Sequence, residues 1–163
     1  MATIISHNII SPLGLTSVDN YNAIFAGESA IATYPGLHKD MRPYSASLIA
    51  REVYDELIID GYSKYESLVI QSIKRSLYGV DLNVSSSDIC LILSTTKGNI
   101  EELDLTESQN VSPAVTAQRI ADYFFIPYHL QFIFQQFDYC NFKILPWKSL
   151  HQGQITYHHY LIR

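Results

Sequence analysis

The run Asp88-Ile89-Cys90-Leu91-Ile92-Leu93-Ser94 is the feature that most constrains the fold of this 163-residue chain. Its interior is wholly apolar, without the alternation of polar and apolar residues that marks a strand with one face in water. A short apolar run bounded by polar residues predicts a β-strand that is covered on both faces. Helix signals lie before and after it, so the sequence predicts a layered α/β fold.

Two helices are predicted from their capping residues. A helix over Thr16–Ala26 would begin with Thr16 as its N-cap, carry Asp19 in its first turn and stop at Gly27. The stretch Ser63-Lys64-Tyr65-Glu66 is a capping box, in which the Ser hydroxyl and the Glu carboxylate each satisfy a backbone donor. This second helix would end at Gly79.

Other elements are predicted from residue type and spacing. The β-branched stretches Thr3–Ile5 and Ile9–Ile10 predict a strand, and Ser47–Ile59 is predicted to be helical. Ser112-Pro113 provides an N-cap and a proline at the first helical position. The helix that follows carries a stripe suited to close packing on a sheet, formed by Ala114, Ala117, Ala121 and Phe124.

Composition excludes several classes of protein. The chain is 47% hydrophobic and 17% charged, which is typical of a folded globular protein. Its net charge of -5, without a basic block, argues against nucleic acid as a partner. No apolar run approaches the roughly 20 residues that span a bilayer, and the N-terminus lacks signal-peptide features. The two cysteines, Cys90 and Cys140, make no disulfide framework, so we expect a reducing, cytoplasmic setting.

The composition changes near residue 129. Residues 1–128 contain 8 basic and 15 acidic residues, whereas residues 129–163 contain 3 basic residues and 1 acidic residue. The second segment also holds 4 of the 6 His and 8 of the 20 aromatic residues, but one Gly. We therefore predict a first domain over residues 1–128 and a divergent tail over residues 129–163.

Candidate chemical groups before residue 129 favour ordinary structural roles. The stretch Thr95-Thr96-Lys97-Gly98-Asn99 follows the apolar strand but lacks the spaced glycines of a phosphate-binding loop, so a plain strand-to-helix connection is favoured. Cys90 lies among Ile and Leu, where a thiol stays protonated and behaves as a small apolar group.

The tail contains the other candidates. His151, His158 and His159 could ligate a metal, but adjacent histidines point in different directions and no carboxylate or thiol lies near them to complete the shell. Cys140 has Asp138 nearby, which would raise the pKa of its thiol, and no identifiable activating base. A structural role is favoured for it, and we assign no metal-binding or cofactor-binding residue.

The order of these elements resembles the N-terminal part of the β-ketoacyl-acyl carrier protein synthases, the condensing enzymes of the thiolase-like superfamily. The resemblance covers nearly all of residues 3–128. Four stretches carry it: "IISPLGLTSVDNYNAIFAGESAI" (Ile9–Ile31), "YESLVIQSIKRSLYGV" (Tyr65–Val80), "DICLILSTTKGNIEEL" (Asp88–Leu103) and "SPAVTAQRIADYFFIPY" (Ser112–Tyr128).

The resemblance implies a thiolase-like layered α/β/α fold, here an incomplete N-terminal half with a mixed sheet. It also implies a decarboxylative Claisen condensation of acyl and malonyl thioesters in fatty-acid or polyketide synthesis, with acyl carrier protein as partner. In that family a Cys at the N-terminus of a buried helix takes the acyl group, and two His residues from the C-terminal half assist. The implied assembly is a homodimer or a pair with a second synthase subunit.

The sequence departs from the family pattern after Ile126-Pro127-Tyr128. The family continues with a β-branched strand, an Ala-Cys and a Gly-rich elbow, whereas this chain continues "HLQFIFQQFDYCNFKILPW". Cys140 lies near the expected place, but Tyr139 and Asn141 flank it. Bulky neighbours would block the sharp turn that exposes such a nucleophile. No catalytic residue of the family is therefore carried over to this sequence.

Two explanations of the tail stay open. A frameshift near residue 129 would explain its change in charge, Gly, His and aromatic content together. Alternatively, the chain is a genuine short paralogue whose tail packs on the sheet. We expect an enzyme-derived chain that is inactive alone, with a non-catalytic half-synthase as the alternative. An independent enzyme that uses Cys140 and the tail histidines is the least favoured reading.

Overall fold

The computed structural model describes residues 3–36, 42–95, 98–104 and 112–133 of the chain. Within these ranges the chain combines helices and strands, so the α/β class is confirmed. The α-helices are α1 (Ser17–Phe25), α2 (Arg51–Leu57), α3 (Lys64–Leu77) and α4 (Pro113–Tyr123), with a 3-10 helix over Ile100–Asp104. The strands are β1 (Ile31–Tyr34), β2 (Tyr44–Ser47), β3 (Cys90–Thr95) and β4 (Tyr128–Ile133).

Strands β3 and β4 form a parallel pair. Their register runs from Cys90 opposite Tyr128 to Thr95 opposite Ile133. Parallel neighbours need a crossover connection, and here it contains the 3-10 helix and α4. β4 begins directly after the Ile126-Pro127 turn, so it crosses the predicted domain boundary between residues 128 and 129.

The main core forms where α3 and α4 pack against β3. Its buried members are Ile70, Leu93, Ala117 and Ile120, whose exposed fractions run from 0% to 6%. Burying a side chain of the size of Ile or Leu stabilises the fold by roughly 1.5–3 kcal/mol. Ala117 and Ala121 are both fully buried, as the predicted small-residue stripe requires. Their small side chains let α4 approach its neighbours closely.

The prediction that β3 is covered on both faces is wrong for the described structure. Leu91 and Leu93 belong to or pack against the core cluster, whereas Ile92 between them is 60% exposed. Successive side chains of a strand point to opposite faces, so the helices cover one face of β3 and leave Ile92 on the other. The apolar run therefore predicts burial correctly for one face of β3 and incorrectly for the other.

The helix starts predicted at Thr16, Ser63 and Ser112 are confirmed. Thr16 caps α1 and Ser63 caps α3, and each cap forms a reciprocal capping box with the residue three positions later. α1 ends in a Schellman motif, in which the N–H of Gly27 bonds to Ile24 and the N–H of Glu28 bonds to Ala23. These local signals were readable because each involves residues within one turn of the helix end.

The predicted strand at residues 3–10 is absent from the described structure. The segment has no regular secondary structure, and polar side chains join it to α3. Ser6 Oγ donates to the carbonyl of Ser76, and Asn8 Nδ2 lies 3.1 Å from Ser72 Oγ. The β-branched residues of the segment remain in water, with Ile4 83% exposed and Ile5 68% exposed.

The predicted helix over Ser47–Ile59 is shorter than expected. Ser47 belongs to β2, which pairs with β1 as an antiparallel hairpin that the sequence patterns did not reveal. α2 occupies Arg51–Leu57, and its N-cap, Ala50, provides no side-chain hydrogen bond. A helix without a capping side chain has no strong local start signal, which explains the misplaced boundary.

Candidate functional site

A buried polar cluster joins α3, the segment after β3 and α4. We call it the Glu66 cluster; it consists of Ser63, Glu66, Asn99, Thr116 and Arg119. Glu66 and Asn99 are each 1% exposed, and Thr116 is fully buried. Buried polar groups are costly unless they are hydrogen-bonded, so each contact in the cluster affects stability.

The Glu66 carboxylate is surrounded by donors. Arg119 Nε lies 2.9 Å from Glu66 Oε1, and Asn99 Nδ2 donates to the same oxygen over 3.1 Å. The other oxygen, Oε2, accepts from the backbone N–H of Ser63 over 3.0 Å. A charged acceptor strengthens each of these hydrogen bonds relative to a neutral one. The carboxylate thus serves as an anchor for three separate segments of the chain.

Asn99 connects the cluster to both helices. Ser63 Oγ donates to Asn99 Oδ1 over 2.6 Å, and Asn99 Nδ2 also lies 3.1 Å from Thr116 Oγ1. The Thr116 hydroxyl in turn donates to the carbonyl of Ser112 over 3.2 Å. The amide therefore bridges the N-terminal ends of α3 and α4.

Arg119 closes the cluster on its outer side. Its Nη2 donates to the carbonyl of Gly61, and its guanidinium carbon lies 5.0 Å from the centroid of the Tyr62 ring. The side chain is 30% exposed, whereas its partner Glu66 is 1% exposed. The pair is thus an asymmetric ion pair in which the carboxylate depends on the arginine for its countercharge.

Sequence reasoning identified one part of this site and missed the rest. The capping box of Ser63 and Glu66 was predicted, but the burial of Glu66 was not. A signal was present: Glu66 lies four residues before Ile70, on the helix face that is buried. The contributions of Asn99 and Thr116 depend on how the crossover packs, which no local pattern encodes.

A small cavity of about 180 Å³ lies beside the cluster. Its described walls include Tyr54, Ser63, Lys64, Leu68 and residues 98–102. Small-molecule sites commonly measure roughly 300–1,000 Å³, so this cavity is undersized for a substrate in the form described.

Charged and aromatic groups lie at the cavity's rim. Lys64 Nζ lies 3.8 Å from Glu101 Oε2, and both side chains are more than half exposed. The Lys64 ammonium also lies 5.9 Å from the centroid of the Tyr54 ring. Burial, and secondarily the negative charge of Glu101, raises the pKa of the Tyr54 phenol, which favours its neutral form.

The predicted role of Cys90 agrees with its environment. It is the first residue of β3, half-buried, with its Sγ 3.6 Å from the carbonyl oxygen of Leu91. Burial raises the pKa of the Cys90 thiol, so the thiol stays protonated near neutral pH. Cys140, His151, His158 and His159 lie outside the described residues.

The stretch Thr95–Asn99 is described except for residues 96 and 97. Gly98 donates its N–H to Thr95 Oγ1 over 2.9 Å, and the chain then enters the 3-10 helix. The side chain of Asn99 is directed into the Glu66 cluster.

The described residues contain no group of three or more His, Cys, Asp or Glu side chains placed to hold a metal ion. Among the same residues, no helix combines the length and the apolar character that crossing a membrane requires. The hydrogen bonds and the ion pair of the Glu66 cluster cross-link two helices and a loop. Its donors and acceptors are directed at one another.

A scan against protein-family models gave no match, and a search of curated proteins gave no significant similarity. The ketosynthase resemblance accordingly depends on the four sequence stretches and their order along the chain.

Proposed function

We propose that residues 1–128 form a partial N-terminal domain of a β-ketoacyl-acyl carrier protein synthase of the thiolase-like superfamily. The observation that supports this most strongly is the parallel β3–α4–β4 unit. Its elements β3 and α4 lie within the stretches Asp88–Leu103 and Ser112–Tyr128 that carry the resemblance, and β4 begins at Tyr128, the last residue of the second stretch. The reaction would be the decarboxylative condensation of acyl and malonyl thioesters, in fatty-acid or polyketide synthesis.

The 163 residues by themselves would not catalyse this reaction. Acyl transfer needs a thiolate at an exposed turn or a helix N-terminus, where backbone N–H groups stabilise negative charge. Cys90 lies in a strand with a raised thiol pKa, and Cys140 lacks small neighbours. We propose a cytoplasmic setting for the protein and acyl carrier protein as its partner. The assembly would be a homodimer or a pair with a second synthase subunit. No catalytic residue is assigned.

Transfer of an acyl group to the protein tests the proposed inactivity. The purified chain is incubated with an acyl carrier protein thioester and analysed by intact mass spectrometry, with an active ketosynthase as the positive control. We expect no acyl adduct on the chain. An adduct that is lost on Cys140→Ser, together with decarboxylation of malonyl thioester, would overturn the inactivity and support an independent enzyme.

A second candidate function is a non-catalytic partner of another condensing-enzyme subunit. One observation favours it: the apolar stripe of α1 is in water, with Val18 and Tyr21 each 66% exposed and Phe25 82% exposed. The rings of Tyr21 and Phe25 stack with centroids 6.0 Å apart, and both residues remain largely exposed. Sedimentation with and without a candidate synthase subunit tests this function: a stable complex with a different synthase subunit supports it, and the absence of any such complex contradicts it.

A further inference from the structure

The apolar stripe of α1, formed by Val18, Tyr21 and Phe25, lies on the side of the helix that faces water. An ordinary surface helix buries its apolar residues, but the buried residues of α1 are Asn20 and Ala23, with exposed fractions of 4% and 7%. The three side chains of the stripe are three and four residues apart, so they form one continuous surface. Among the helices and strands that the structure describes, none packs against α1.

A buried amide fixes the orientation of α1. Asn20 Nδ2 donates to the carbonyls of Ile9 and Gly14 over 3.1 and 2.9 Å, and Asn20 Oδ1 accepts from Ser11 Oγ. Turning the stripe inward would break these hydrogen bonds and leave a buried amide without partners, which is costly. The stripe is therefore held outward in advance, so a partner that binds it need not order the helix.

The exposed area of the stripe matches the requirement of a small dimer. Each aromatic side chain offers about 150–250 Å² of surface, so the stripe, together with the neighbouring Ile24, presents apolar area on the order of 500 Å². A specific interface buries at least about 1,000 Å², counted over both partners. Two copies that pack stripe against stripe reach this threshold.

The charge of α1 favours a second copy of the chain as the occupant. Asp19 is the one ionised residue of the helix, and its carboxylate accepts from the backbone N–H and the hydroxyl of Thr16. The stripe itself carries no charge that would select a partner of opposite sign. An uncharged apolar surface is complementary to itself, and no like charges meet when two such surfaces pack together.

We propose that α1 is the interface of a two-fold symmetric dimer, in which the stripes of two copies pack as antiparallel helices. Tyr21 lies at the middle of the stripe, so the two-fold axis brings the Tyr21 side chains of both copies together and pairs Val18 of one copy with Phe25 of the other. The rings of Tyr21 and Phe25 are inclined by 17° and form a nearly flat aromatic surface, of the kind that dominates binding energy at interfaces. This inference does not depend on the proposed ketosynthase function, because it uses the exposure and packing of α1 alone.

Sedimentation velocity of the full chain tests the interface. The protein is measured from about 1 to 300 μM, in 0.1 M and in 1 M NaCl. We expect an equilibrium between monomer and dimer with a Kd of about 1–100 μM, because the interface lies near the lower size limit of specific complexes. The Kd should not rise in 1 M NaCl, since salt screens charges and leaves apolar contacts in place.

Charge substitutions at Tyr21 test the two-fold geometry. Tyr21→Glu and Tyr21→Lys each bring two like charges together at the axis, and each should weaken dimerisation by about 100-fold or more. An equimolar mixture of the two variants should form dimers again, because opposite charges then meet. The control is Tyr78→Glu, which adds a charge at a side chain that is 91% exposed and lies outside the stripe, and it should change the Kd by less than about 2-fold.

Phe25→Lys separates association from folding. Phe25 is the last residue of α1, where a basic side chain complements the helix dipole and does not weaken the helix. The same change places a charge in the stripe, so dimerisation should weaken by about 10-fold or more while the unfolding midpoint stays the same or rises.

Several results would overturn the proposal. They are a chain that stays monomeric up to 300 μM, a dimer that the variants at Tyr21 and Phe25 leave intact, and association that grows beyond the dimer. A stripe that binds a different synthase subunit and not a second copy would also overturn it. None of these results bears on the ketosynthase proposal, which the acyl-transfer assay and the encoding DNA test separately.

Discussion

The Nε of Arg119 on α4 lies 2.9 Å from Oε1 of Glu66 on α3, and these two residues are 53 positions apart in the sequence. The arginine is the countercharge of a carboxylate that is 1% exposed. The same carboxylate caps its own helix through Ser63. One side chain therefore links the start of α3 to the core-facing part of α4, and the first prediction concerns this pair.

Arg119→Met should destabilise the protein by about 3 kcal/mol, because removing one member of a buried ion pair leaves the other uncompensated. The measurement is urea unfolding at neutral pH. The control is Arg51→Met, because Arg51 lies 4.0 Å from Asp55 in an exposed pair and should cost no more than about 0.5 kcal/mol. Equal losses in the two variants would show that Glu66 does not depend on Arg119.

Phe125→Gly should stabilise the protein. Phe125 ends α4 in a Schellman motif with a φ of 56°, and its N–H bonds to Asp122. The left-handed conformation is costly for a residue with a Cβ, and the ring is 80% exposed, so little packing would be lost. After the greater chain entropy of glycine is subtracted, we expect a gain of about 0.5–1 kcal/mol in thermal or urea unfolding.

Gly27→Ala is the matched reverse of this change, at the equivalent position of α1. Gly27 has a φ of 76°, and a Cβ built there meets no atom within 4 Å. Its cost therefore measures the backbone conformation alone, and we expect a loss of about 1 kcal/mol. A loss at Phe125→Gly would instead mean that the phenyl ring makes stabilising contacts.

Cys90 should react slowly with thiol reagents at neutral pH. Burial raises the pKa of its thiol above the ordinary value of 9.0. In a Cys140→Ser background, iodoacetamide labelling at pH 8 should be slower than that of a small free thiol, and the rate should rise as the pH passes above 9. Rapid labelling at pH 7 would indicate a stabilised thiolate and would contradict the structural role.

Tyr54 should make stability fall at high pH. Burial and the charge of Glu101 raise its folded-state pKa above the ordinary value of 10.0. A raised folded pKa means that its stabilising contribution is complete below about pH 10 and is lost as the pH rises through the folded value.

A comparison of variants isolates this effect. Between pH 9 and pH 11, Tyr54→Phe should lose less unfolding free energy than the wild type, as measured by urea denaturation. The control is Tyr78→Phe, at a side chain that is 91% exposed, and it should lose as much as the wild type. If both variants followed the wild type, the environment of Tyr54 would not disfavour its ionised form.

Local signals in the sequence predicted local features of the fold. The caps at Thr16 and Ser63 were readable because the contacting atoms lie within one turn. The β-branched residues of the segment at residues 3–10 predict a strand, but the structure assigns it no regular secondary structure. Its position depends on hydrogen bonds from Ser6 to Ser76 and from Asn8 to Ser72. These two residues of α3 lie 70 and 64 positions further along the chain.

The same distinction explains the candidate site. Glu66 was recognised as a capping residue, but its partner Arg119 lies on another helix. The sequence predicts that Asn99 belongs to a plain strand-to-helix connection, whereas its burial depends on the positions of both Ser63 and Thr116. Side-chain clusters that join distant segments carry no period or motif, so sequence patterns alone do not reveal them.

The most direct test of the ketosynthase proposal is the sequence of the encoding DNA from codon 120 past codon 163, translated in all three frames. The account predicts that a frame other than the one encoding this tail continues into a β-branched strand, an Ala-Cys and a Gly-rich elbow. The functional protein would then be a complete ketosynthase. If no frame encodes these features, the tail is native and the catalytic proposal is contradicted, which leaves the partner-subunit function to be tested by sedimentation.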